Sequence, residues 1–201
     1  MISRLAARAG LAVALLWTVG CASWPRIRVD RPQGFGLMPP GKTAVLRVTV
    51  RPLTTSKSYL FLWGIVQVPN APAQFAELLA YFGREAGGLD VIPPEEVDRR
   101  LKAAGLEPTL DPTPQQIKAF MDALGCASYL SADVETWRSV YRFTAQSARA
   151  RFVVSGHLPG GDEALWSASV EHVAELKSER EVAMDALRET FRILRQPPPE
   201  H

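Results

Sequence analysis

The pattern of apolar and polar residues predicts alternating strands and helices in the first half of the chain. Residues 43–50 are rich in β-branched side chains and predict a first strand. The next apolar residues recur at i, i+3, i+4 and i+7, the spacing of one buried helix face: Phe75, Leu78, Leu79 and Phe82. Gly87 follows this stripe and ends the predicted helix.

A short strand and two more helices are predicted next. Residues 89–92 form the strand, and Pro94 opens a helix whose first turn carries Glu95 and Glu96. Carboxylates stabilise the positive amino-terminal end of a helix, which explains this acidic pair without assigning it chemistry. The stretch Thr113 to Gln116 has the spacing of a capping box and therefore predicts the start of a third helix.

The second half of the chain changes to a period of two. Alternating residues in 130–135, 141–156 and 164–173 predict a three-stranded antiparallel meander with one solvated face. A slip in the alternation within 141–156 predicts a β-bulge there. A final helix is indicated by one apolar stripe: Val182, Ala183, Ala186, Leu187 and Leu194. The order β-α-β-α-α-β-β-β-α predicts the α/β class, a mixed sheet with helices packed on it.

The amino terminus has the pattern of an export signal. Arg4 and Arg8 precede an apolar run over 11–19, and the small residue Gly20 follows it. A membrane-spanning helix takes roughly 20 apolar residues, and Arg8 leaves about half that number, so a cleaved signal over residues 1–20 is favoured over a retained anchor.

Cys21, directly after Gly20, is the predicted lipid attachment site, where fatty acids such as palmitate would anchor the mature chain. Thr18 stands where lipoprotein signals usually carry leucine, and cleavage after Ala22 would instead release a soluble periplasmic protein. The second cysteine, Cys126, lies in an apolar run and predicts a packed free thiol. A disulfide would need the arm bearing Cys21 to enter the core.

The remaining boundaries follow composition. Residues 21–41 are rich in proline and glycine and predict a flexible tether that could extend on the order of 60 Å. Residues 42–195 form a single domain, and 196–201 form a disordered tail. Removing Arg4 and Arg8 from 23 basic residues leaves 21, equal to the 21 acidic ones. A neutral mature chain does not favour nucleic acid as a partner.

Candidate chemistry is sparse. His157 and His172 flank the last predicted hairpin, but their offset along the paired strands argues against a shared metal ion. No serine lies in a Gly-x-Ser-x-Gly elbow, and Cys126 follows a helix end without a neighbouring base. The sequence therefore predicts no catalytic residue, cofactor, metal or small-molecule substrate, although a hydrolase acting on envelope material with an unrecognised site remains an alternative.

An apolar segment over 58–68 occupies a connection where a polar loop is usual. In an extended conformation, Tyr59, Phe61 and Trp63 share one face, together with Ile65. Three interpretations are open: a buried strand or loop plug, an oligomer or partner surface, and a membrane-inserted strand. The partner surface makes Tyr59, Phe61 and Trp63 candidate functional residues.

Residues 42–192 resemble a bacterial lipoprotein family related to the TolB amino-terminal domain and to CsgG-like and LpoB-like envelope lipoproteins. The resemblance lies in LGCASYLSADVETWRSVYRF, above all in WRSVY at 137–141, and in EALWSASVEH with its Leu165-Trp166 pair. It implies a non-catalytic, lipid-anchored protein on the periplasmic face of the outer membrane. Such a protein would assemble with itself or with envelope machinery in export, secretion or envelope biogenesis, or would activate a peptidoglycan synthase.

Overall fold

A mixed β-sheet with four helices forms the protein, confirming the α/β class. The computed structural model describes residues 24–32, 37–51, 63–142, 145–160 and 163–197. The strands within these ranges are β1 Arg26–Asp30, β2 Lys42–Val50, β3 Trp63–Gln67, β4 Asp90–Val91, β5 Ser128–Arg142, β6 Ala145–His157 and β7 Ala164–Glu175. The helices are α1 Ala71–Glu85, α2 Pro94–Ala103, α3 Pro114–Leu124 and α4 Glu179–Arg195. The predicted order is present, with β1 and β3 as additional strands.

The sheet has the strand order β1-β7-β6-β5-β2-β4. β5, β6 and β7 form the predicted antiparallel meander, whereas β2 pairs in parallel with both β5 and β4. β5 is long enough to carry two neighbours on the same edge. β2 pairs with it over 128–134 and β3, running antiparallel, over 138–142.

Two hydrophobic clusters hold the helices on the sheet. The larger joins α1 and α4 to one face of the meander, and Phe75 packs edge-on against both Trp137 and Phe152. The smaller joins α2 and α3 to the other face of β2 through residues such as Leu46 and Phe120. The stripes predicted for α1 and α4 are buried, as expected for amphipathic helices.

Reciprocal caps fix the start of two helices. At α3, the Gln116 amide donates to the Thr113 hydroxyl over 3.3 Å, and the Thr113 amide donates to the Gln116 side chain over 2.8 Å. This confirms the predicted capping box. Ser178 and Glu181 make the same arrangement at α4.

The predicted tether over 21–41 is wrong for residues 26–30, which form the edge strand β1. Ile27 and Val29 pack against the larger cluster, whereas Arg26, Arg28 and Asp30 face outward. This alternation is typical of a half-buried strand, but the surrounding prolines and glycines obscure it in the sequence. The domain therefore starts before the predicted residue 42.

The bulge is also misplaced in the prediction. Tyr141 belongs to β5, and β6 begins at Ala145, so the slip in apolar alternation marks a change of strand. The register of the β5–β6 ladder shifts instead between Val134 and Thr136 of β5, and that of the β6–β7 ladder shifts between Gly156 and His157 of β6.

The start of the predicted tail is held by the amino-terminal part of the domain. The Arg31 guanidinium donates to the carbonyl of Leu194 over 2.8 Å and to that of Gln196 over 2.7 Å. These bonds satisfy carbonyls at the end of α4 that have no partner within the helix. The signal region 1–20, Cys21 and residues 198–201 lie outside the described residues.

Candidate functional site

β3 holds the described part of the predicted partner surface. Trp63 lies in this strand opposite Arg142, whereas Tyr59 and Phe61 lie outside the described residues. Ile65 keeps 44% of its surface exposed and Val68 is buried. A fully buried strand or loop plug is therefore wrong at Ile65: the described residues 63–67 form a partly exposed strand, and the chain enters the core at Val68.

β3 is an edge strand within the described part of the chain. Among the described strands it pairs with β5, so its other side presents backbone N–H and C=O groups without a ladder there. Such edges pair readily with another chain. The exposed Ile65 adds apolar surface to this edge.

Four exposed apolar residues lie at one end of the sheet, which we call the tip surface: Trp24, Tyr141, Val173 and Leu176. Trp24 is 78% exposed and Leu176 is 85% exposed. Leu176 also has a φ of 60°, a left-handed backbone conformation that side chains of this size rarely adopt.

Strand pairing brings these residues together. The Leu176 amide donates to the Gln146 carbonyl over 2.9 Å, and Gln146 lies opposite Tyr141 in the β5–β6 ladder. On the other side of β7, β1 begins at Arg26, which lies opposite Glu171. Because the two strands are antiparallel, Trp24, two residues before Arg26, lies near the level of Val173, two residues after Glu171. The start of β1 and the ends of β5 and β7 therefore share one end of the sheet.

His172 lies beside this end, on the face of β7 that packs against α4. Its side chain is 2% exposed, and within the described residues both ring nitrogens are buried without a hydrogen-bond partner. Burial lowers its pKa, because it penalises the charged ring. The Lys177–Asp185 ion pair at 2.6 Å and Trp24 line the same cavity of about 260 Å³.

His157 lies on the opposite face of the meander. Its ring stacks on Tyr129 with centroids 4.6 Å apart, and Nε2 is 2.9 Å from the Ser131 hydroxyl. Burial lowers the pKa of this ring as well. The prediction that the two histidines do not converge is confirmed, and among the described residues no group of three or more potential ligands is placed to hold a metal ion.

The other residues considered for chemistry have structural partners. Glu96 accepts from Arg99 over 2.7 Å and from Arg100 over 2.6 Å, and these hydrogen bonds lower its pKa. Cys126 is a buried free thiol in the smaller cluster, as predicted. Burial raises its pKa to about 11, which suppresses the reactive thiolate at neutral pH.

A cavity of about 480 Å³ opens between α1, the start of α2 and α4. It is lined by Tyr81 and by three arginines, Arg84, Arg180 and Arg188, and also by Glu77 and Glu95.

None of the helices in the described ranges is both long enough and apolar enough to cross a bilayer.

The fold is shared with solved structures of bacterial proteins. The PelC dodecamer from Paraburkholderia phytofirmans superimposes with a TM-score of 0.56 and 14% identity, covering 85% of this chain and 97% of PelC. The lipoprotein GNA1162 from Neisseria meningitidis gives a TM-score of 0.51 and 15% identity, covering 72% of this chain and 92% of that one. No protein-family model matches the sequence, and no curated protein matches it.

Trp24 and Leu176 are not among the candidate functional residues predicted from the sequence. Trp24 lies in the stretch interpreted as tether, and Leu176 follows a strand at a position where a leucine usually signals core. Only the three-dimensional pairing shows that these two isolated apolar residues share one end of the sheet.

Proposed function

We propose that the protein is a non-catalytic, lipid-anchored component of the bacterial envelope, attached through Cys21, that assembles with copies of itself in an export or envelope-biogenesis complex. The observation that carries the proposal is the fold shared with PelC, a dodecamer, over nearly the whole PelC chain. The likeness to lipoprotein GNA1162 supports the envelope location. The outer membrane is the proposed site of the anchor.

The proposed contact between copies runs along β3. Its outer edge offers backbone hydrogen-bonding groups, and Ile65 offers exposed apolar surface. Tyr59, Phe61 and Trp63 precede or begin this strand, and we propose them as part of the same contact. Aromatic residues of this kind are enriched at protein interfaces.

A non-catalytic role is supported by the state of the groups that could react. Glu96 is held by two arginines, and Cys126 is buried with a raised pKa. His157 is stacked and hydrogen-bonded. Each of these groups has a structural explanation, which weakens the case for an envelope hydrolase.

A long tether would fit the alternative of a synthase activator as well as it fits a role in secretion. Because residues 26–30 belong to the sheet, only residues 22–25 separate Cys21 from the domain. Four residues span at most about 14 Å, far less than the reach that a long tether would give. No observation in the structure favours this alternative over assembly.

The deciding experiment is native mass spectrometry of the full-length protein, expressed with its own signal and purified from membranes in mild detergent. Wild type should give a defined oligomer, and Ile65→Lys should shift it toward monomer. Leu158→Lys, at an exposed position outside β3, serves as the matched control and should leave the oligomer intact. A monomeric wild type that captures no envelope protein would refute the assembly proposal.

A further inference from the structure

The tip surface is unusually apolar for a surface that faces water. It combines an indole, a phenol and two aliphatic side chains at one end of the sheet, all of them exposed. Leu176 is both the most exposed of them and the one with a left-handed backbone. That conformation aims an apolar side chain outward at a position where glycine or asparagine is usual.

The position of the predicted lipid attachment site, Cys21, indicates that a membrane lies next to this end of the sheet. Trp24 is three residues from Cys21, and three residues span at most about 11 Å. The headgroup region on each side of a bilayer is roughly 5–8 Å thick. A lipid on Cys21 therefore holds the Trp24 indole in or beside the headgroup layer, whatever path the intervening residues take.

The side chains of the tip surface suit that layer. Tryptophan and tyrosine are enriched at membrane–water interfaces, where the ring contacts acyl chains and the polar atom stays in water. Leucine and valine gain by leaving water at the same depth. The strand ends are close to one another, as the Leu176–Gln146 hydrogen bond and the Gln146–Tyr141 pairing show.

We propose that the tip surface, formed by Trp24, Tyr141, Val173 and Leu176, docks on the surface of a lipid bilayer and sets the orientation of the domain. The inference rests on the proposed lipid anchor at Cys21. In this orientation the long strands β5, β6 and β7 rise from the membrane, and the hairpin at Leu158 lies at the far end. β6 has 13 residues, which places that hairpin about 40 Å from the tip surface.

The test uses full-length protein purified with its lipid and reconstituted in vesicles of phosphatidylethanolamine and phosphatidylglycerol. Leu176→Cys and, as a second reporter, Val173→Cys are labelled with a fluorophore that responds to polarity. Cys126 does not interfere, because it is buried with a pKa of about 11. Leu158→Cys is the matched control at the opposite end of the sheet.

The labels at 176 and 173 should emit at shorter wavelength on vesicles and lose about half of their emission when the acyl chains are brominated, as expected for insertion by 5–10 Å. The label at 158 should change in neither respect. A vesicle-bound, lipidated protein whose tip labels stay in water overturns the docking inference alone. Tip labels that are shielded but unaffected by bromine would assign the surface to a second copy, which also overturns it.

Mass spectrometry of the amino-terminal peptide separates this result from the proposed function. A mature chain that begins at Ser23 without lipid refutes the anchor and, with it, the docking orientation.

Discussion

Gly156 lies directly opposite Trp166 in the β6–β7 ladder, with the indole over the position that a side chain would fill. A Cβ on Gly156 would come within 2.5 Å of the Trp166 Nε1 atom and 2.9 Å of the Met38 sulfur. The indole N–H donates to the carbonyl of Leu37, so the ring has little freedom to move. Trp166 therefore covers the backbone of β6 and joins the 37–41 stretch to the sheet.

Gly156→Ala should consequently lower the free energy of unfolding by about 1–3 kcal/mol, the range for overpacking a well-packed core. Urea denaturation followed by circular dichroism measures it. Ser155→Ala, the adjacent position on the solvated face, should change stability by less than about 0.5 kcal/mol. Equal effects of the two substitutions would contradict the proposed overlap with Trp166.

Trp137, in the WRSVY segment, joins β5 to the start of α4. Its indole donates to the Glu179 carbonyl over 2.8 Å, and the ring packs against Phe75. Trp137→Phe keeps an aromatic ring but removes the donor, and should lower stability by about 1–2 kcal/mol. Trp24→Phe is the matched control, because Trp24 is exposed and should cost little. A neutral Trp137→Phe would show that the hydrogen bond is not stabilising.

Cys126 should resist thiol reagents in the native state. With a pKa of about 11, only about one thiol in a thousand is ionised at pH 8, and the side chain is buried as well. Ellman's reagent should react with Cys126 only after denaturant is added. An engineered Ser169→Cys, exposed on β7, should react at once in the same protein. Rapid native labelling of Cys126 would refute the buried thiol.

His172 should make the fold sensitive to acid. Its pKa in the folded protein lies below the ordinary value of 6.5, so the unfolded chain binds more protons as the pH falls through 6.5. Stability present above that pH is therefore lost on acidification, by up to about 1.4 kcal/mol per pH unit. Urea midpoints between pH 7.5 and pH 5 measure this slope.

His172→Leu should reduce that slope and also raise stability at pH 7.5 by about 1 kcal/mol, because two buried nitrogens without partners are removed. His157→Leu is the comparison. It should reduce the slope but bring no gain, because it deprives the Ser131 hydroxyl of its partner. If the dependence of stability on pH is unchanged in His172→Leu, His172 is not the source of the acid sensitivity.

Leu176 should be a position where the native residue is not the most stable one. Leu176→Gly relieves the left-handed conformation at φ 60° and loses almost no buried surface. Stability should rise by about 0.5–1 kcal/mol. Leu158→Gly, at a position without a positive φ, should lower it instead. A destabilised Leu176→Gly would mean that the leucine side chain contributes to folding in water.

Local periodicity was sufficient to predict the α/β class, the four helices and the meander. The capping box at Thr113 and the stripes of α1 and α4 depend on neighbours a few residues apart, and such patterns are visible in one sequence. β1 was missed because its two inward residues, Ile27 and Val29, are too few to stand out among prolines. Its strand conformation depends on β7, far away in the chain.

The two candidate surfaces, along β3 and at the tip surface, were harder to predict from the sequence. The segment that includes Trp63 was identified because it is unusually apolar for a connection. The tip surface could not be identified, since Trp24, Tyr141 and Leu176 are single apolar residues in three separate stretches. Isolated exposed apolar residues are common on proteins, and only their convergence makes them informative.

Arg31 binds the end of α4 across a sequence separation of 163 residues, and β1 pairs with β7 next to it. β1, the first of the described strands along the chain, thus depends on partners that are synthesised much later. Until β7 follows, β1 has no ladder, and until α4 follows, the Arg31 guanidinium lacks the Leu194 carbonyl. Chains truncated between β7 and residue 194 should therefore keep the β1 ladder but lack the Arg31 contact, which separates the contributions of these two long-range contacts.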